Sequence, residues 1–180
     1  MMANMTRSIG AMAAAVAISM TSSCSELDHE LAPPLSEIRN AQILGIHDQA
    51  FALTNGTWDG NAFDPDGASR PQAGLAEDIY MTGDLDSDGA EEAAVVVWES
   101  SGGSGSYSYI AVFDWRDGDM ENIGTSLIGD RVKISSAQIV GQWIVLTVLQ
   151  HAPADPACCP TQKATRHWRM TDAGLQEREQ

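Results

Sequence analysis

The sequence predicts a mainly β domain, β-rich α+β at most, folded as an antiparallel meander sheet or a small sandwich. Three observations carry this. Alternating or β-branched apolar runs recur from Ile43 to Met170, separated by short turns rich in Gly, Asn and Asp. No long stretch carries helical periodicity, and no segment repeats at a fixed period, so a propeller or solenoid is not expected. The 180 residues suffice for one domain with its own core.

The N-terminal segment is read separately from the fold. Arg7 is the only charge before Glu26, and Ile9–Met20, IGAMAAAVAISM, is an apolar run. It is too short to span a bilayer and has the length of a secretory h-region. Thr21-Ser22-Ser23 and then Cys24 follow. Residues 1–23 are therefore expected to be a signal peptide. The segment resembles a bacterial lipoprotein signal, which implies lipidation of Cys24. Plain cleavage near Ser23 is the alternative, since Thr21 stands where such signals usually carry Leu. Residues 24–34 read as a lipid-anchored tether, polar and ending in Pro33-Pro34.

Residues 35–172 are expected to form the globular domain. Ser36 is a candidate cap for a short helix over Glu37–Gln42. Ile43–Ile46 and Ala50–Leu53 read as short strands. Asn55-Gly56 before Thr57-Trp58 is a hairpin turn, because Asn-Gly accepts positive φ. Gly60–Gln72 is a loop, and Ala76–Thr82 is the next strand. Ala93–Trp98 is continuously apolar and reads as a buried strand. Ser100–Ser106, SSGGSGS, is a loop or bulged strand end within the same domain. Ser106–Trp115 alternates, with Tyr107, Tyr109, Ala111, Phe113 and Trp115 on one side and Ser108, Ile110 and Val112 on the other. Arg116–Asp119 turns into a weaker strand over Met120–Ile128, and Gly129-Asp130 turns again. Val132, Ile134 and Ile139 mark a strand, and Trp143–Leu149 the most apolar one. A proline-bearing loop, Gln150–Thr161, leads to a last strand, Gln162–Met170. Residues 173–180 are polar and expected to be a flexible tail. The aromatic residues on these strands are read as packing residues.

Composition excludes some partners. With 10 basic against 25 acidic side chains, the net charge is −15. Such a surface repels nucleic acid and anionic lipid headgroups, so neither is expected, and membrane attachment is expected only through the N-terminal lipid.

The sharpest chemistry lies in Gly83–Trp98, GDLDSDGAEEAAVVVW. Asp84, Asp86 and Asp88 occupy positions one, three and five of a loop, Gly89 position six, Ala90 position seven and Glu92 position nine. Alternate oxygen ligands followed by a glycine bend a loop around a hard cation, position seven serving through its carbonyl. Position twelve is Val95, where an EF-hand needs a bidentate glutamate, so this is not an EF-hand. Asp84, Asp86, Asp88, Ala90 and Glu92 are the expected ligands of a structural Ca²⁺, with affinity on the order of 10⁻⁴–10⁻³ M. The alternative is a solvated acidic turn, Asp and Gly being ordinary turn formers.

The adjacent Cys158 and Cys159 are expected to pair with each other if Cys24 is lipidated, in an oxidising compartment. Two packed thiols, or one of them paired with an unlipidated Cys24, are the alternatives. His151, Asp155, Cys158, Cys159 and His167 fit no common zinc spacing. The serines of SSGGSGS lack the strand–elbow–helix context of a hydrolase nucleophile, and no phosphate-binding lysine follows them.

Several separated stretches form an ordered set. They are Arg39-Asn40-Ala41, DGASRP at Asp66–Pro71, GDLDSDG, GGSGSYSY at Gly102–Tyr109, GDRV at Gly129–Val132 and CCPTQ at Cys158–Gln162. The set resembles a group of bacterial envelope lipoproteins that carry these motifs in this order. The resemblance implies a secreted or lipid-anchored single domain and brings no established activity. The aspartate loop is similar to the strand–loop–strand calcium loops of FG-GAP and VCBS-type modules, which implies that Glu92 closes the site. The resulting expectation is a monomeric protein of the bacterial cell envelope, in the periplasm or anchored to the outer membrane, that binds an envelope protein or glycan. An envelope hydrolase is one alternative. An inhibitor or assembly factor presenting the Cys158-Cys159 loop is the other.

Overall fold

Both faces of Ala93–Val97 are buried, and the rest of the chain is layered on them. The structure is a computed structural model and describes residues 31–178. The expected signal peptide, Cys24 and most of the tether lie outside the described residues.

Five strands, β3 (Thr57–Asp59), β4 (Gln72–Gly83), β5 (Glu92–Ser100), β6 (Tyr107–Arg116) and β7 (Asp119–Asp130), form one antiparallel sheet in sequential order. Four more, β8 (Lys133–Val140), β9 (Trp143–Gln150), β10 (Gln162–Thr171) and β11 (Gly174–Glu177), form a second. The fold is a small sandwich of two meanders. A minor layer of α1 (Leu35–Ile38), β1 (Gln42–Ile43) and β2 (Phe51–Ala52) covers the other face of the larger sheet.

Strand alternation explains the layering. Ala93, Val95 and Val97 of β5, with Ala111 and Phe113 of β6, pack against Ile38, Ile43, Phe51 and Leu53 of the minor layer. Ala94, Val96, Ile110 and Val112 point the other way, onto Ile144, Leu146, Val148, Trp168 and Leu175 of the second sheet. A strand covered on both sides needs no polar positions, hence the unbroken apolar run. Trp168 is fully buried and donates its indole N–H to Ser126 Oγ at 3.1 Å, joining the two sheets.

The expected turns are present. Asn55 and Gly56 have φ of 52° and 87°, and Asp117 and Gly118 have 52° and 91°, the left-handed pairs that suit tight hairpins. Three expectations are corrected. The helix is one turn, Leu35–Ile38, capped by the extended Pro34 and not by Ser36, because proline presets the entry φ. The two early strands shrink to two residues each, since they pair only with each other. The polar tail is a strand as far as Glu177: β11 pairs with β10, and Leu175 is buried against the second core. Its other side chains are polar because they face solvent or, in Glu177, pair with Arg166 at 2.6 Å.

Candidate metal centre at the β4–β5 turn

The acidic loop is fixed to the domain by its one apolar residue. Leu85 sits in the second core, so the chain on either side must curl outward. Each of three aspartates then turns one oxygen onto its own loop. Asp84 Oδ1 accepts the Ser87 N–H at 2.6 Å, Asp86 Oδ1 that of Asp88 at 3.2 Å, and Asp88 Oδ1 that of Ala90 at 2.8 Å. Ser87 and Gly89 take positive φ, 70° and 95°, which closes the bend. The Gln142 amide of the β8–β9 turn bonds Ser87 Oγ, tying the loop to the second sheet.

Glu92 differs from the aspartates. It is 0 % exposed, on the same β5 face as Ala94 and Val96. Its Oε2 accepts the Leu85 N–H at 2.6 Å, and its Oε1 is buried with no hydrogen-bond partner. Burial pushes its pKa up to about 7, against the Leu85 hydrogen bond, and Asp86, Asp114 and Asp88 push the same way.

The register supplies a residue that sequence reasoning missed. Ala94 faces Val112 and Ala93 faces Phe113, so the next step sets Glu92 beside Asp114. Asp114 is 4 % exposed. Burial raises its pKa, opposed by Arg116 and by the Trp115 N–H. Two buried acids side by side repel unless a positive charge joins them. Arg116 supplies one, its Nε 2.5 Å from Asp114 Oδ2 and its Nη2 3.2 Å from Asp86 Oδ2. A signal for Asp114 was present in the sequence: it continues the inward phase of Ile110 and Val112.

The acidic side chains thus fall into two groups that share Asp86. One is Asp84, Asp86 and Asp88; the other joins Asp86 and Glu92 to the unexpected Asp114; in each, one carboxylate oxygen per residue lies within 4.8 Å of the others. Ala90 contributes its N–H to Asp88 and is half-buried.

The other candidate residues are placed elsewhere. Cys158 and Cys159 are joined by a disulfide in an exposed loop. Asp155 staples that loop, accepting the N–H groups of Ala152 and Thr161 at 2.8 and 2.7 Å and the Thr161 hydroxyl. These bonds, the Ala152 one foremost, hold its carboxyl below the usual range. His167 packs edge-on against Trp143. A serine, a carboxylate and a histidine do meet at Ser101, Glu99 and His47, beside a cleft of about 610 Å³ lined by His47, Phe51 and Trp58. There the hydroxyl donates to Glu99 Oε1 at 2.6 Å, and His47 Nε2 is 3.9 Å from the same oxygen. The hydroxyl thus meets the carboxylate and not the imidazole, an order of contacts unlike the serine–histidine–carboxylate triad.

The motifs that stood out in the sequence act as joints. The Arg131 guanidinium donates to the Ser104 carbonyl and pairs with Asp130, whose Oδ1 accepts the Ser106 N–H at 3.0 Å. GDRV is therefore the clasp of the GGSGS loop. Ser69 of DGASRP donates to the Gly102 carbonyl at 3.1 Å. The Arg39 carbonyl accepts the Gly56 N–H at 2.7 Å, fixing the early hairpin.

Charge is not evenly spread. Outward positions of the second sheet alternate with Ile144, Leu146, Val148, Trp168 and Leu175. They include Lys133, Lys163, Arg169 and Arg178, all exposed, and among the described residues no Asp or Glu of these strands points that way. The Arg169 and Arg178 guanidinium carbons lie 5.3 and 5.9 Å from the Trp143 ring centroid. No protein family, curated protein or solved structure matches this chain.

Proposed function

We propose that the chain is an exported, lipid-anchored protein of the bacterial cell envelope that acts as a binding module, with a structural Ca²⁺ holding its β4–β5 loop. Glu92 carries the metal half of this reading. A carboxylate oxygen that is fully buried, unpartnered and within 4.8 Å of other carboxylates needs a cation or a proton. Oxygen-only ligands from one tight loop suit a hard ion, and Asp84, Asp86, Asp88, the Ala90 carbonyl and Glu92 are the donors that the loop offers. The leader pattern and Cys24 support export and anchoring. The binding half rests on the outer face of the second sheet, where cations flank Trp143, a composition that suits an anionic envelope glycan or acidic protein surface.

The test is thermal denaturation of the protein in EDTA and in millimolar Ca²⁺. The melting temperature is expected to fall in EDTA and to return with Ca²⁺ but not with added Na⁺ at equal ionic strength. Identical curves in EDTA and Ca²⁺ would remove the metal from the reading.

A further inference from the structure

We propose that the cation site is completed from the neighbouring strand: Asp114 of β6 is a ligand beside Asp86 and Glu92, and an incoming Ca²⁺ displaces the Arg116 guanidinium that now holds two of these three carboxylates. The inference rests on the calcium reading of the loop and assigns to it a ligand and a built-in competitor.

In each carboxylate one oxygen is already bound to a backbone N–H. Asp86 Oδ1 takes that of Asp88, Asp114 Oδ1 that of Trp115 at 2.7 Å, and Glu92 Oε2 that of Leu85. The second oxygens remain. Asp86 Oδ2 and Asp114 Oδ2 are both on Arg116, and Glu92 Oε1 is buried with no partner. Ligand atoms of the three residues lie within 4.8 Å of one another. Two oxygens on opposite sides of one Ca²⁺, each at about 2.4 Å, are about 4.8 Å apart, so the group can share a single ion.

Arg116 satisfies this cluster incompletely. Its planar fork reaches Asp86 and Asp114, and Glu92 Oε1 gets nothing. Three carboxylates against one guanidinium leave an excess of negative charge among groups of which two are buried. A divalent ion can meet all three free oxygens and carries twice the charge. The free Oδ2 atoms open to it are those that Arg116 occupies, so the two cations compete there. Arg116 can leave at little cost, because its side chain is 46 % exposed and swings into water at the end of β6. Cross-strand placement also explains why this set is more than an acidic turn. Asp114 arrives from another strand, at the register step after Ala93 and Phe113.

The test is calorimetric Ca²⁺ titration of the full chain, as wild type, Asp114→Asn and Arg116→Gln. Asparagine keeps the shape of Asp114 and one acceptor oxygen for the Trp115 N–H but removes the charge, and Ca²⁺ affinity tracks ligand charge. Asp114→Asn is expected to weaken Ca²⁺ binding by roughly tenfold or more, and Arg116→Gln to strengthen it severalfold. In wild type, the Arg116 side-chain Nε–H resonance is expected to shift on Ca²⁺ addition to that of a free guanidinium. That readout needs no variant to fold. If wild type binds no Ca²⁺, the loop reading itself fails, and this inference with it. If wild type binds Ca²⁺ while the Arg116 resonance stays in place, or both variants bind as wild type does, the loop reading stands and the present inference is overturned.

Discussion

Replacing Glu92 by glutamine in the metal-free protein should stabilise it at alkaline pH and leave it unchanged in acid. The side chain is fully buried and its pKa rises from 4.5 to about 7. A carboxyl whose folded pKa lies above its unfolded one is protonated in the fold at acid pH without penalty. As pH climbs from 4.5 to about 7, the unfolded chain gives up its proton and the folded chain keeps it. Each pH unit of that window removes about 1.4 kcal/mol, so roughly 3 kcal/mol is lost by pH 8. Asp114, raised in the same direction by burial, adds to the loss. Glutamine cannot ionise and still presents an oxygen to the Leu85 N–H. For a domain of this size about 3 kcal/mol corresponds to a melting shift on the order of 10 °C. Calorimetry in EDTA should therefore find Glu92→Gln about 10 °C above wild type at pH 8 and level with it near pH 4.5. In Ca²⁺ at about a hundred times its dissociation constant, wild type should recover about 2.7 kcal/mol and the variant little. Coincident metal-free curves at pH 8 would refute the reasoning, because they would mean that ionised Glu92 is not a burden on the fold.

Three further outcomes are expected. Truncation after Thr171 removes β11, exposes the core beneath Leu175 and strands Arg166 without Glu177, so stability should drop by at least about 3 kcal/mol in urea denaturation, where a frayed tail would give no change. Gly74→Ala should destabilise by about 1–3 kcal/mol, because a Cβ there would stand 2.7 Å from the Trp98 ring; an unchanged denaturation midpoint would show that the indole yields freely. Reversing Lys163 and Arg169 to Glu should abolish salt-sensitive retention on an anionic polysaccharide column without moving the melting temperature, and equal retention would count against the cationic face as the contact.

The sequence was informative where a signal was local. The run Ala93–Trp98 announced a buried strand, and the Asn55-Gly56 and Asp117-Gly118 turns fixed their hairpins. The alternation of Ser106–Trp115 was legible to the residue, since Ala111 and Phe113 do face one core and Ile110 and Val112 the other. What was hidden depended on partners far along the chain. Leu175 is a lone apolar residue in a polar tail, and only the face of β10 makes a strand of it. Asp114 is an ordinary acid before a turn until the pairing of β5 with β6 sets it beside Glu92. Net charge says little about single faces for a related reason. It averages over the surface, whereas Lys163 and Arg169 share one side of β10 by simple alternation, with Trp143 of β9 among them. Opposite faces of a sandwich stand more than a Debye length apart at physiological salt, so a partner at one face feels chiefly that face.

The two ends of the sandwich are closed by different means. At one, the Arg131 guanidinium and Asp130 hold the GGSGS loop through bonds that belong wholly to the chain. At the other, the loop from Gly83 to Glu92 rests on Leu85, on the Gln142 contact and on carboxylates whose free oxygens outnumber the cations available to them. A polypeptide has only Lys, Arg and His with which to neutralise a cluster of acids, and each is long and monovalent. One guanidinium reaches two of the carboxylates and leaves the third unserved. A small divalent ion would have no such reach limit, because its coordination shell could be filled from the β4–β5 loop, β5 and β6 at once. On the calcium reading, the acidic end is the part of the fold that answers to divalent ions in solution, while the clasped end is held by the chain's own bonds. That asymmetry follows from one buried oxygen, Glu92 Oε1, for which the described residues supply no partner.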